Sequence, residues 1–139
     1  AHNLKVVNTY LNRENINTEL KKNISETNIG LLSIDVDGID YWILKELNIF
    51  KPKIIVCEYN TLFGDLHGIT VPYDKNFNRS EKHSSNLYFG ASIKAMIDLL
   101  KDKGYELLGT NSNGINAFFV RNDYSDIFHN IIEEKKYFS

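Results

Sequence analysis

Four polar side chains suited to hydroxyl chemistry follow two apolar segments of this sequence. Asp35 and Asp37 come at the end of the first segment, and Glu58 and Asn60 come at the end of the second. A carboxylate can take the proton of a hydroxyl group, and carboxylate and amide oxygens together can hold Mg²⁺. We therefore consider Asp35 a candidate catalytic residue and Asp37 a candidate substrate-binding residue. Asp35, Glu58 and Asn60 form a candidate metal-ligand set.

The surrounding pattern predicts a strand, a helix and a second strand. Residues 31–36 form a short apolar run typical of a parallel strand covered on both faces, residues 40–47 follow helical spacing, and Pro52 precedes a second run at 54–57. A right-handed crossover would make the two strands parallel and adjacent. Ligands bind outside the carboxyl ends of such strands, which is where the four polar side chains converge.

Each acid also has a structural explanation. With Asp37 at a helix N-cap and Asp40 three residues later, both carboxylates would interact favourably with the helix dipole. For these two residues we prefer capping to metal ligation. Asp35 stands between Ile34 and Val36, so we expect it to be buried and to need a partner. A salt bridge with an arginine or lysine would satisfy the Glu58 carboxylate as well as a metal ion would.

The N-terminal residues and the long central connection are less regular. Residues 4–11 have strand character, and Asn12 is expected to cap a short helix that extends to Lys22. Residues 61–89 form a connection rich in Asp, Asn, His and Tyr, of a length typical of lids, binding loops or disordered segments. His83 within it is a second candidate catalytic residue, and Tyr73 and Tyr88 are candidate substrate-binding residues, although surface exposure or packing explains each of them as well.

Regular structure is predicted again after this connection. Ser92 is suited to cap a helix that Gly104 ends, and Asn113-Gly114 predicts the turn of an antiparallel hairpin between strands at 105–108 and 117–120. Ser125 or Asp126 would cap a last helix. Its apolar face would contain four residues, namely Ile127, Phe128, Ile131 and Ile132.

Length, charge and composition limit the possible functions. The chain has 139 residues, which predicts a single domain over residues 1–139, and a formal net charge of -2 with no basic run argues against nucleic-acid binding. No apolar stretch is long enough to span a bilayer, so no membrane association is expected. A single cysteine, Cys57, lies in an apolar strand and fits a reducing, cytoplasmic compartment. The chain does not begin with Met, and we expect it to be part of a longer protein.

Several motifs together resemble a known family. They are Ser33-Ile-Asp-Val-Asp-Gly, Glu58-Tyr-Asn, Thr70-Val-Pro-Tyr-Asp, Tyr88-Phe-Gly-Ala-Ser and Asn116-Ala-Phe-Phe-Val-Arg. The order of elements resembles the second half of the S-adenosylmethionine-dependent methyltransferase fold, and the motifs are similar to those of FkbM-type methyltransferase-like proteins. The resemblance implies an α/β, partial Rossmann-like fold with parallel strands, crossover helices and a C-terminal antiparallel hairpin. It further implies O-methylation of a small molecule or glycan.

The resemblance also implies where the cofactor and a partner would bind. The family holds S-adenosylmethionine with a glycine-rich turn, but the eight glycines here contain no Gly-x-Gly pair. By resemblance residues 4–11 would be the third strand of the fold, and the cofactor-binding half would lie upstream of Ala1. Without the first strand, the sheet edge beside residues 31–36 would be exposed, and we expect a homodimer through it.

Other functions remain compatible with the same acids. The strand ends resemble the divalent-ion site of catechol-type O-methyltransferases, although Glu58-Tyr-Asn replaces their adjacent Asp-Asn pair. A non-catalytic metal- or carbohydrate-binding or assembly module is a second hypothesis. A metal-dependent hydrolase is a third hypothesis, and it is weakened because no histidine belongs to the strand-end cluster.

Overall fold

The computed structural model describes residues 3–128, which form a mixed α/β structure around a four-stranded sheet. The strands are β1 (Leu31–Ile34), β2 (Ile54–Glu58), β3 (Tyr105–Thr110) and β4 (Asn116–Arg121). Their order across the sheet is β1-β2-β4-β3, with β1 parallel to β2 and β4 antiparallel to both of its neighbours. The predicted parallel pair and the predicted hairpin are both confirmed.

Four helices connect or flank these strands. They are α1 (Ile16–Asn23), α2 (Asp40–Glu46), α3 (Arg79–Lys82) and α4 (Ile93–Asp102). Short 3₁₀ segments occupy Thr61–Phe63 and Asn122–Phe128. Among the described helices, none has the length and apolar character that crossing a bilayer requires.

The hydrophobic core lies between one face of the sheet and helices α2 and α4. Its largest fully buried side chains include Ile43 and Leu44 of α2, Met96 and Leu100 of α4, and Phe119 of β4. These positions follow the helical and strand periodicities, so each element buries one apolar face.

Both ends of α4 are formed as the sequence predicts. The Ser92 hydroxyl accepts a hydrogen bond from the Ala95 amide (3.1 Å) and donates one to the His67 carbonyl (2.7 Å). Gly104, with φ +87°, ends the last turn in the left-handed region that favours glycine. The cap therefore fixes the start of α4 and also ties the long connection to it.

The opposite face of the sheet and the outer edge of β1 are open in the part of the chain that the structure describes. Leu31 is 60% exposed and Ser33 is exposed, while Phe118 is 36% exposed. The cross-strand register places these residues on one face, since Leu31 pairs with Ile54 and Phe118 pairs with Val56. The expectation that the first strand is covered on both faces is therefore wrong for residues 3–128.

Two predictions near the chain ends also need correction. Residues 4–11 are not a strand, because no neighbouring strand pairs with them among the described residues, and residues 3–10 are exposed. Helix α1 begins at Ile16, but Asn12 caps the turn before it: the Asn12 and Asn15 side chains accept hydrogen bonds from each other's amides at 2.9 and 2.8 Å. Residues 122–128 form a 3₁₀ segment, and most of the predicted last helix, including Ile131 and Ile132, lies outside the described residues.

Candidate active site

The turn after β1 is built around the carboxylate of Asp40. Asp40 is only 1% exposed, and its two oxygens accept hydrogen bonds from the Val36 amide (3.2 Å) and the Gly38 amide (3.1 Å). Burial is the main cause that raises the pKa of Asp40 to about 6. The N-cap of α2 is Ile39, which makes no side-chain cap, so the prediction that Asp37 caps this helix is wrong.

This turn presents two carboxylates to solvent. Asp35 is exposed, so the expectation that it is buried is wrong. Its apolar neighbours in sequence do not cover it, because β1 ends at Ile34 and lies at the edge of the sheet. Asp37 is exposed as well and has φ +55°, a left-handed conformation that aspartate tolerates better than most residues. Both groups are accessible to a ligand at the carboxyl end of β1.

Glu58, at the end of β2, is a buried carboxylate with one unused oxygen. The residue is 9% exposed, and its Oε2 atom has no hydrogen-bond partner. Its Oε1 atom lies 3.9 Å from Nη1 of Arg79. Burial, reinforced by the negative charges of Asp40 and Asp35, raises the pKa of Glu58 to about 7, and Arg79 only partly opposes this rise. Glu58 can therefore exchange a proton near neutral pH.

Arg79 is the cation that covers Glu58, and sequence reasoning did not identify it. Its guanidinium lies 3.8 Å from the centroid of the Phe89 ring, and its Nε atom donates to the Asn86 carbonyl (2.6 Å). Asn78 caps α3 by accepting from the Ser80 amide (3.1 Å), which fixes the backbone that carries Arg79. The one available signal was that a buried Glu58 would need an arginine or lysine.

Asn60 folds the long connection back against the sheet. Its side-chain nitrogen donates to the carbonyls of Leu87 (2.9 Å) and Phe89 (3.0 Å), and its side-chain oxygen accepts from the Leu62 amide (3.0 Å). The residue is buried. Its predicted oxygen ligand is therefore already engaged with the backbone.

The predicted magnesium ligands do not fit a metal ion in this geometry. Asp35 is exposed, Glu58 faces the Arg79 guanidinium, and the Asn60 oxygen is used by Leu62. Across residues 3–128, no group of three or more His, Cys, Asp or Glu side chains is arranged to hold a metal ion. We therefore assign no step of the chemistry to magnesium.

The three candidates in the long connection have different surroundings. His83 is exposed directly after α3, with its Nδ1 atom 2.7 Å from the Ser85 hydroxyl, and Tyr88 is also exposed. Tyr73 is half-buried: Arg13 lies 4.1 Å from its ring centroid, and its hydroxyl bonds to Glu14. Tyr73 thus connects this segment to the residues that precede α1.

A cleft of about 770 Å³ lies beside the turn after β1. Its wall includes Tyr10, Val36, Asp37, Phe77 and Arg79. A smaller cavity of about 270 Å³ lies at the opposite end of β2, where Pro52 and Ile55 contribute to its lining. The larger cleft is the one that adjoins the acids at the strand ends.

The approach of the connection to this turn is close. The Gly90 amide donates to the Gly38 carbonyl (3.0 Å), and a Cβ atom at Gly38 would overlap the Phe77 ring. Gly38 also has φ +132°, which side chains rarely adopt. Glycine at this position therefore permits the contact that forms one wall of the cleft.

Comparison with known proteins identifies one family. Residues 10–107 match the family model described as the methyltransferase FkbM domain. The match includes both strand ends and the connection that carries Arg79. Searches of curated proteins and of solved structures found no match.

Proposed function

The chain belongs to the family of FkbM methyltransferase domains, and we propose that it acts in the transfer of a methyl group to a hydroxyl oxygen of a small molecule or glycan. The family match supports a methyltransferase-like function. The observation that favours transfer to oxygen is Glu58, a buried carboxylate with a pKa raised to about 7 at the end of β2. A hydroxyl acceptor must lose a proton, and a base is most effective when its pKa lies near the working pH.

Glu58 has the chemistry to take that proton. With S-adenosylmethionine bound, the acceptor oxygen would bond to the donor's methyl carbon, the donor sulfur would keep the electron pair of the broken carbon–sulfur bond, and Glu58 would take the hydroxyl proton. Arg79 must move away from Glu58, or share it, for the acceptor to reach the carboxylate. The unpartnered Oε2 atom supports this role because it can accept a hydrogen bond from the incoming hydroxyl.

Asp35 and Asp37 are proposed to face the reacting groups at the end of β1. S-adenosylmethionine supplies a methyl group on a positively charged sulfur, and exposed carboxylates are electrostatically suited to that charge. Asp35 would orient the acceptor opposite this charge. His83 stays a second candidate for proton transfer, and Tyr73 and Tyr88 stay candidate acceptor contacts.

The adenosine part of the donor needs contacts of another kind. The sequence contains no Gly-x-Gly pair that could form a glycine-rich turn. We propose that these contacts come from residues outside the described part of the protein.

Calorimetric titration tests the proposal. S-adenosylmethionine and its demethylated product are titrated, with and without magnesium, into this chain and into the longer protein to which we expect it to belong. Transfer of a labelled methyl group to neutral hydroxyl acceptors is then measured with whichever protein binds. We expect binding and transfer with the longer protein, and neither to depend on magnesium. Failure of both proteins to bind the donor would contradict the proposed function.

A further inference from the structure

The cleft beside the turn after β1 combines apolar walls with an excess of acidic groups. We propose that it binds a hydroxyl-rich ring that is neutral or positively charged, and that it discriminates against anionic rings. This inference names the acceptor class and therefore rests on the proposed function.

The shape of the cleft favours a ring. Phe77 and Tyr10 offer aromatic surface, and Val36 adds an aliphatic side chain. Such surfaces pack against the apolar face of a saturated ring, while neighbouring polar groups bond to its hydroxyls. The volume of about 770 Å³ accommodates a small molecule or one end of a larger one.

The charges around the cleft favour a ligand without negative charge. Asp37 and Glu81 line it. The charges of Asp40, Asp35 and Asp37 all act on Glu58, so these acids lie close to the same carboxylate. Among the residues that line the cleft, Arg79 is the single cation. An anionic ligand would therefore face a net repulsion.

Arg79 is already committed to other groups. Its guanidinium stacks on Phe89, donates to the Asn86 carbonyl and faces Glu58. The nearby cation Lys82 is also paired, with its Nζ atom 2.8 Å from Asp74. Neither cation is thus arranged to receive a carboxylate or phosphate of a ligand.

The unpartnered oxygen of Glu58 independently indicates a ligand with hydrogen-bond donors. Oε2 is buried and has no partner, an arrangement that costs free energy unless another group completes it. Arg79 contacts this carboxylate through Oε1 and also lines the cleft. A hydroxyl or ammonium group that shares Glu58 with Arg79 would satisfy the free oxygen.

Three probes with the same ring separate charge from shape. They are methyl glucoside, which is neutral, methyl glucosaminide, which is cationic at pH 6.5, and methyl glucuronide, which is anionic. Backbone amide shifts of the 139-residue chain are followed by NMR as each probe is added, with no methyl donor present. We expect shifts around Asp37 and Arg79, and an affinity at least about tenfold lower for the glucuronide.

Matched variants test the cause of the discrimination. Asp37→Asn should reduce the difference in affinity between the cationic and the anionic probe. Asp98→Asn should leave this difference unchanged, because Asp98 lies on α4 and pairs with Lys94. Added salt should reduce the discrimination in the unchanged protein. Equal affinities for the glucoside and the glucuronide, or the absence of localised shifts with all three probes, would overturn the inference. Neither result depends on methyl transfer, so failure here is distinguishable from failure of the proposed function.

Discussion

Replacing Glu58 with glutamine should stabilise the protein at alkaline pH, which is the opposite of what a structural salt bridge predicts. Burial raises the pKa of Glu58 from 4.5 to about 7, so the folded state disfavours the ionised form. A group with a raised pKa contributes stability that is fully present below pH 4.5 and is lost as the pH rises through about 7. Glutamine keeps the shape of the side chain and carries no charge to desolvate.

The size of the effect follows from the pKa shift of Glu58. The difference between 4.5 and about 7 corresponds to about 3 kcal/mol, because each pKa unit is worth about 1.4 kcal/mol. The pKa of about 7 already includes the charge of Arg79, which opposes the rise. We therefore expect Glu58→Gln to raise the free energy of unfolding by about 3 kcal/mol at pH 8 and to leave it unchanged at pH 4.

Urea unfolding at pH 4, 6 and 8 measures this difference directly. Glu106→Gln is the matched control, because Glu106 is exposed on β3 and has no part in the site. The Glu106→Gln control should have the same free energy of unfolding as the unchanged protein at each pH. If Glu58→Gln is less stable than the unchanged protein at pH 8, then Glu58 and Arg79 form a stabilising pair and the reasoning is refuted.

Three further predictions concern the connection and the sheet edge. Gly38→Ala should lower the free energy of unfolding, measured in urea, by at least about 2 kcal/mol, because the new methyl group overlaps Phe77 and the backbone is strained. A change below about 0.5 kcal/mol would contradict this close contact between Gly38 and Phe77. Asn60→Ala should lower the free energy of unfolding by about 2 kcal/mol or more and accelerate proteolysis within residues 61–89. An unchanged cleavage rate would show that the hydrogen bonds of Asn60 do not hold the connection. The open edge of β1 should support a dimer, which light scattering would detect at high protein concentration. Leu31→Lys should weaken this dimer. A strictly monomeric protein would count against the interface.

The local elements were predictable because their signals lie in neighbouring residues. The apolar runs that became β1 and β2, the Ser92 cap, Gly104 and the Asn113-Gly114 turn each depend on a short stretch of chain. Residues 4–11 carry a similar apolar pattern, but a strand also needs a neighbour, and residues 3–10 are exposed. The local sequence pattern does not indicate whether a neighbouring strand is present to pair with these residues.

The site was predictable in position but not in detail. Parallel strand topology placed Glu58 and Asp35 at one end of the sheet, as the register of β1 and β2 confirms. The exposure of Asp35 depends on the lateral position of β1, and the partner of Glu58 comes from Arg79, within an irregular connection. Asn60 resembled a metal ligand because the same amide that binds cations also binds backbone groups.

We propose above all that Glu58 accepts the proton of a hydroxyl methyl acceptor. The pH dependence of kcat/KM for labelled methyl transfer, measured in the longer protein with Glu58 and with Glu58→Gln, tests this role most directly. We expect kcat/KM to rise with a midpoint near pH 7. In the variant we expect a loss of about 100-fold or more and no remaining midpoint near that pH. A variant that keeps both the rate and the pH profile of the unchanged protein would contradict it.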